Sequence, residues 1–433
     1  MNIYRLQEID PETLRRLKRR AQSDIAATVE QVRPVVAAVR DRGDAALIEF
    51  TERFDGVTLS PSDLRVPPQE FEEAQAILPD ALKQAVATAV QNIRTFHERQ
   101  KPEELWFTQV AEGILAGEKI TPLDSVGLYV PRGKGSFPSV LMMLAVPARV
   151  AGVGQIVVCT PPGEGGRVDA ACLYAARLCG VEALYRVGGA QAIAALAYGT
   201  ESVPAVAKIV GPGNPYVTAA KHLLYGTVDV GPPAGPSEAI ILADSTADPD
   251  CVALDLLNEA EHGPDSAALL VTPSETLVQQ VLPRARTYVA ALPSPRREFC
   301  EQVLTRFGGV VLTPDWASAI EFVNDYAPEH LEVLTAQPFE TLAQIRNAGE
   351  ILLGENTPIA ASNYCLGTNA ILPTGGFARS FSAVSVYEFL KRSGVGYLTR
   401  AGFERLRPVT QCLADYEGFP AHAQAVRERF GGS

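Results

Sequence analysis

The sequence predicts an α/β protein built on two doubly wound, incomplete Rossmann-like parallel sheets with helical arms at both ends. Three observations predict it. Short apolar runs alternate with stretches of helical periodicity from residue 126 to residue 353. Most of these runs are continuously apolar, as strands covered on both faces must be. The flanking segments, up to about residue 100 and from about Ser385, carry helical periodicity with more charge.

Asp10-Pro11-Glu12 is a helix N-terminal signal, and Val32, Val35, Val36, Val39, Leu47 and Phe50 recur at helical spacing over residues 10–57. Gly43-Asp44 separates two of these helices, and Phe54-Asp55-Gly56 makes a turn. A longer helix is expected over 80–100, with Leu82, Val86, Ile93 and Phe96 on one face. Its His97 stands among charges and is expected at the surface. Residues 126–130 form a buried strand, left by the loop Pro131-Arg132-Gly133-Lys134-Gly135. Strands at 155–160 and 183–187 enclose a helix at 168–179. Gly188-Gly189-Ala190-Gln191 then opens another helix, and the strand 208–210 ends in Gly211-Pro212-Gly213-Asn214. A second block repeats the pattern, with strands at 239–243, 267–272, 310–313, 331–335 and 351–353. Its helices include 275–292, 316–326 and 339–347. Such alternation implies parallel sheets, which bind ligands beyond the carboxyl ends of their strands. Tyr129, Gln191 and Asn214 all follow strand ends and could line one crevice.

Composition excludes several classes. The net charge is −12, and no Lys/Arg cluster is long enough to track a phosphate backbone, so nucleic acid is not an expected partner. No apolar run reaches the ~18–20 residues of a membrane span. The first twenty residues are charged and amphipathic without an apolar signal core, so a cytoplasmic protein is expected. Seven cysteines are scattered without a C-x-x-C pair, as free thiols in a reducing compartment would be.

Chemistry is concentrated in a few stretches. In Asn258-Glu259-Ala260-Glu261-His262-Gly263-Pro264, a helix is stopped by Gly263-Pro264, so Glu259 and His262 leave one face of its last turn. A carboxylate and an imidazole so placed can share a divalent ion. Equally, such a histidine can simply close its own helix turn. Ala327-Pro328-Glu329-His330 stands at the mouth of a strand and offers two proton-transfer groups. Its plain alternative is a surface network ending the preceding helix. Gly235-Pro236-Ser237-Glu238 presents a hydroxyl before a strand, and residues 363–376 form an amide-rich loop. No G-x-G-x-x-G follows the first strand of either block.

Together, Tyr129-Val130-Pro131, Gly189-Ala190-Gln191, Gly211-Pro212-Gly213-Asn214 and Pro233-Ala234-Gly235-Pro236-Ser237-Glu238 are similar to segments of histidinol dehydrogenases. So are Glu261-His262-Gly263-Pro264-Asp265-Ser266, Ala327-Pro328-Glu329-His330-Leu331 and Leu372-Pro373-Thr374-Gly375-Gly376, in order along nearly the whole chain. The resemblance implies a zinc- and NAD-dependent oxidation of a polar primary alcohol, through its aldehyde, to the carboxylate. L-histidinol to L-histidine is the substrate pair it implies, in an intertwined homodimer. Tyr129, Gln191 and Asn214 match NAD contacts. Glu329 and His330 match the catalytic pair, the histidine as base and the glutamate activating water. His262 and His422 match zinc ligands, with Glu259 and Asn363 at the other two ligand positions. Ser237 and Glu417 match substrate contacts, and Glu259, His262, His330, Asn363 and His422 also border the substrate. The implied domains are an arm at 1–23, an α/β domain of 24–128 with 238–383 carrying the metal and catalytic pair, an NAD domain at 129–237, and a helical arm at 384–433.

Three positions depart from that family pattern. Glu259 replaces a glutamine and Asn363 an aspartate, so the formal charge of the ligand set is conserved. Ala370 replaces a histidine of the substrate loop, and nothing in the sequence compensates it. That loss points toward a paralog working on a different amino alcohol or diol. Two other classes were open on the residues alone. One is an aldehyde dehydrogenase-like enzyme using the Cys365 or Cys300 thiolate. The other is a protein keeping the fold and the NAD and metal sites without turnover.

Overall fold

The computed structural model describes residues 1–20, 25–132 and 135–431. Gly133 and Lys134 of the expected loop, and the expected boundary between residues 23 and 24, lie outside the described residues. Strands are numbered in chain order: β1 Ile3–Arg5, β2 Leu105–Ala111, β3 Ile114–Pro122, β4 Ser125–Tyr129, β5 Gln155–Thr160, β6 Ala183–Arg186, β7 Lys208–Val210, β8 Glu238–Ala243, β9 Ala267–Thr272, β10 Gly309–Leu312, β11 His330–Leu334, β12 Glu350–Leu353 and β13 Leu390–Leu398. The chain divides into two compact units, Met1–Gln100 with Leu123–Phe389, and Lys101–Pro122 with Leu390–Ser433.

The first unit holds two parallel sheets, in the orders β1-β10-β9-β8-β11-β12 and β6-β5-β4-β7. In the larger sheet the period-two alternation of strands divides the buried side chains between two cores. Ile241, Leu270 and Val310 face the helices Pro249–Ala260, Glu275–Ala291 and Arg296–Arg306. Ile240, Leu269, Val311, Leu331 and Val333 face the helix Trp316–Tyr326 and Leu17 on the other side. On β11, therefore, His330 and Glu332 alternate with Leu331 and Val333 and fall on the face covered by Pro249–Ala260. That parity sets the site.

The smaller sheet reverses its winding between β4 and β7, and the segments after those strands start at Val130 and Gly211. Val29, Val36 and Leu47 of the N-terminal helices share one core with Val157 and Ile193 of this sheet and its cover. This departs from the domain division expected from the sequence, which set 24–128 with 238–383. Strand β4 pairs with β5 and β7, so residues 125–128 belong to the sheet of 129–237. The N-terminal arm is also not wholly helical, because β1 pairs with β10. Asp10 caps the first helix as expected, accepting from the Glu12 and Thr13 amides. His97 is the other correction: it is buried, its Nδ1 hydrogen-bonded to Gln100 Oε1 at 2.7 Å and its Nε2 accepting from Asn369 Nδ2 at 3.2 Å. It follows Val90 and Ile93 by seven and four residues, on the buried stripe of its helix.

The second unit is an antiparallel sheet, β13-β3-β2, with the helices Arg400–Tyr416 and Pro420–Arg427. The tail expected as helical therefore includes a nine-residue strand, registered from Leu390 opposite Pro122 to Leu398 opposite Ile114. Among the described residues, no helix is long and apolar enough to cross a membrane.

Candidate active site

At the mouths of β8 and β11, their amino ends, several buried ionisable groups come together. His330 opens β11 directly opposite Glu350, the first residue of β12, and its Nδ1 meets Glu350 Oε1 at 2.7 Å. Ser362 donates to both Glu350 oxygens, at 2.7 and 2.6 Å, which fixes that carboxylate. With Nδ1 engaged, the ring presents Nε2 to two carboxylates, Glu329 Oε1 at 3.9 Å and Glu259 Oε2 at 4.0 Å. Glu329 is fixed by its other oxygen, which accepts from the Glu238 amide at 2.8 Å. Glu329, His330 and Glu259 are all buried, so the alternative of a surface network does not describe this pair.

Electrostatics follow from that crowding. Burial alone would discharge His330, but its bond to Glu350 and the charges of Glu329 and Glu259 outweigh burial and carry its pKa to about 10. Burial, helped by Glu259 and Glu238, holds the Glu329 carboxyl well above the usual carboxylate range, with His330 opposing. Burial likewise raises Glu238 to about 7, against the pull of Arg20. Four carboxyls, Glu238, Glu259, Glu329 and Glu350, thus face one imidazole and the Arg20 guanidinium.

Glu259 shows where a cation fits. It lies in the last turn of Pro249–Ala260, fully buried, and neither carboxylate oxygen has a hydrogen-bond partner. An unpaired buried carboxylate is costly, and a divalent ion is one of the few partners that satisfies it. His262 Nδ1 is 3.4 Å away, although the same nitrogen also lies 3.1 Å from the Asn258 carbonyl, so the histidine does close its own turn. Among the described residues no three His, Cys, Asp or Glu side chains are gathered as a ready metal cage. Asn363 is half-buried on the short helix Ile359–Tyr364. Glu417 and His422 belong to the second unit, where Glu417 ends a helix and His422, exposed, packs 5.2 Å from the Phe419 ring.

The NAD candidates flank the winding reversal of the smaller sheet. The Tyr129 hydroxyl accepts from the Gly189 amide at 3.0 Å. Gln191 is buried with both amide atoms unpartnered, and a Cβ on Gly189 (φ +63°) would lie 2.7 Å from its Oε1. Asn214 caps the helix Pro215–Leu224 through the Val217 amide. Gly211 (φ +133°) passes so close to Tyr129 that a Cβ would stand 2.2 Å from that carbonyl oxygen. A buried, unpaired amide beside a glycine-lined strand end fits a polar ligand such as the dinucleotide.

Ser237 is half-buried at the start of β8. Ala370 is half-buried, and its amide faces Met143 Sδ at 3.3 Å. Cys300 is buried and its thiol pushed up to about 12, first by burial, so it offers no thiolate. An open cavity of about 590 Å³, lined by Asp244, Ser274, Trp316 and Thr335, lies at the opposite, carboxyl ends of β8, β9 and β11 and contains none of these groups. Two members of the cluster were missed from the sequence. Glu350 was hidden just before an apolar strand, and only the β11–β12 register brings it to His330. Arg20 sits at the end of an amphipathic helix, where an arginine is ordinary.

The comparisons agree along the whole length. The family model described as histidinol dehydrogenase matches residues 18–430. A histidinol dehydrogenase of Synechocystis is 52% identical, over 99% of this chain and 98% of its own. A histidinol dehydrogenase homolog of Cereibacter sphaeroides is 51% identical, over 98% and 97%. The crystal structure of histidinol dehydrogenase from Elizabethkingia anophelis superimposes with a TM-score of 0.90 at 36% identity, over 98% of this chain and 96% of that one. The chain therefore belongs to the histidinol dehydrogenase family of NAD-dependent zinc oxidoreductases.

Proposed function

We propose that this chain uses zinc and NAD to oxidise a polar primary alcohol to its carboxylate, with L-histidinol to L-histidine as the leading substrate pair. The observation that carries the reading is the buried His330, oriented by Glu350, with Nε2 turned toward Glu329 and the unpaired Glu259.

In this reading a cation held beside Glu259 would draw the His330 pKa down from about 10, so that a neutral Nε2 removes the hydroxyl proton of the alcohol while Glu350 holds the ring for that transfer. After the first oxidation, water adds to the aldehyde carbon. One water proton passes to the Glu329 carboxylate, and the carbonyl oxygen takes a proton back from His330. Glu259 and His262, with Asn363 and His422, would hold the zinc, which when bound supplies a Lewis acid. The exchange of glutamine for Glu259 and of aspartate for Asn363 keeps the ligand charge and supports retention of the metal. Tyr129, Gln191 and Asn214 would hold NAD, whose chemistry is to accept a hydride in each oxidation. Ser237 and Glu417 would bind the substrate.

A second reading, another amino alcohol or diol, is favoured by Ala370, where a methyl group stands in place of the family's histidine. The homodimer is supported by the exposed Leu105, Phe107, Val110, Tyr416 and Phe419 of the second unit, which leave apolar surface to cover. Reducing conditions, as in the cytoplasm, suit seven free cysteines. The test is NADH formation from L-histidinol, lost on chelation and restored by zinc.

A further inference from the structure

We propose that Arg20 is a positioning residue of the second oxidation, clamping together the two segments whose spacing places Glu329. The inference rests on the reading of Glu329 as the group that activates water.

Glu329 is placed by two neighbours that no covalent link holds together. One is the start of β8, whose Glu238 amide donates to Glu329 Oε2 at 2.8 Å. The other is the turn from Trp316–Tyr326 into β11, where Ala327 (φ +51°) leads through Pro328 to Glu329 itself. Arg20 binds both. Its Nε meets Glu238 Oε2 at 2.5 Å, and its Nη2 donates to the carbonyls of Tyr326 and, at 3.4 Å, Ala327. The guanidinium also lies flat over the Tyr326 ring, 3.8 Å from its centroid. Glu238 is completed by the Gly375 amide, which donates to its other oxygen at 3.1 Å.

The side chain of Arg20 is 5% exposed and that of Glu238 2%. A buried guanidinium is costly unless it is paired, and here Nε lies beside a carboxylate, Nη2 reaches two carbonyls and the plane covers a ring. Arg20 is also one of three described non-glycine residues with positive φ, at +58°. Backbone there is strained and persists where the surroundings demand it.

A lysine cannot replace the clamp, because one ammonium cannot span a carboxylate and two carbonyls while lying flat on a ring. Releasing the clamp loosens the turn Tyr326–Glu329 and Glu238, which lie just ahead of the β8–β11 ladder that begins with His330 opposite Ala239. A displacement of about 1 Å can cost on the order of 10²-fold in a positioned reaction. The loss falls on water addition, which needs Glu329, and spares the first oxidation, which needs His330. His330 keeps its own anchor on Glu350.

The experiment measures NADH and carboxylate from the alcohol that the wild type oxidises, L-histidinol first, in Arg20→Met, Arg20→Lys and Glu329→Gln. Expected for Arg20→Met is a first oxidation within about threefold of wild type, aldehyde release, and carboxylate formation down about 10²-fold, so that NADH per alcohol falls from two toward one. Arg20→Lys should stall at the same point, less severely, and decides the matter if Arg20→Met does not fold. Equal losses in both oxidations, or an unchanged ratio in Arg20→Lys alongside a stalled Glu329→Gln, overturn the clamp. If Glu329→Gln itself keeps the wild-type ratio, the reading of Glu329 falls and the clamp's proposed role with it.

Discussion

In the proposed reading the chemistry turns on His330, whose two nitrogens have separate tasks. Nδ1 is tied to Glu350, and Nε2 remains for the substrate. His330→Ala should lower turnover by about 10²–10⁴, the usual weight of a general base, with NAD affinity and zinc content retained. NADH production beside a binding titration checks it, and full activity would place the base elsewhere. Ala370 is the residue on which the choice of substrate rests in the proposed reading. Its neighbour Asn369 is fixed by Met143 O at 2.6 Å and by His97 Nε2 at 3.2 Å, so the loop is already held without a histidine at 370. Ala370→His should lower the KM for L-histidinol by up to one or two decades and leave kcat near its value, since such a contact strengthens ground-state and transition-state binding together. Kinetics of the two proteins side by side decide it. A wild type that already has a micromolar KM makes Ala370 a tolerated change.

At the scale of elements, the loop Gly211–Asn214 is pinned by Lys221, which is buried and donates to the Gly211 carbonyl. Burial pushes the Lys221 ammonium down to about 8 from its usual value near 10.5. The folded pKa lies below the unfolded one, so burying the charge costs stability at every pH below 8. That cost fades as pH rises from 8 toward 10.5. Lys221→Met carries no such term, so the wild type should gain on it in denaturation midpoint between pH 7.5 and 9.5. A constant difference would mean that the lysine keeps its ordinary pKa in the fold. The variant should also bind NAD more weakly, because it leaves a buried carbonyl unpaired.

Elements of this kind were legible in proportion to their burial. β8, β9 and β11 were found because both faces are covered, leaving few polar residues to break the runs. β13 was missed because Lys391, Arg392, Ser393 and Gly394 interrupt any apolar pattern, and main-chain pairing to β3 makes it a strand. The helix expected over 339–347 ends at Leu342, one turn after it begins at Pro338. Glu329, His330 and Glu259 were recognised by motif. Glu350 and Arg20 were not, because a strand register and a long-range ion pair bring them in. His97 was misplaced by its charged neighbours, although its spacing from Ile93 already put it on the buried face.

For the whole molecule, the proposed reading has two parallel sheets contributing different parts of one reaction. The smaller sheet would offer NAD its strand ends beside Tyr129 and Gln191. The larger sheet gathers Glu259, Glu329 and His330 at the amino ends of β8 and β11, opposite to the ends that such sheets usually use. The most direct test is the NADH yield per carboxylate formed from L-histidinol and a panel of small amino alcohols and diols, with zinc-loaded protein. The account predicts two NADH per carboxylate for at least one polar primary alcohol, abolished by chelation and by His330→Ala. Binding of zinc and NAD with no NADH formed from any of them would contradict it.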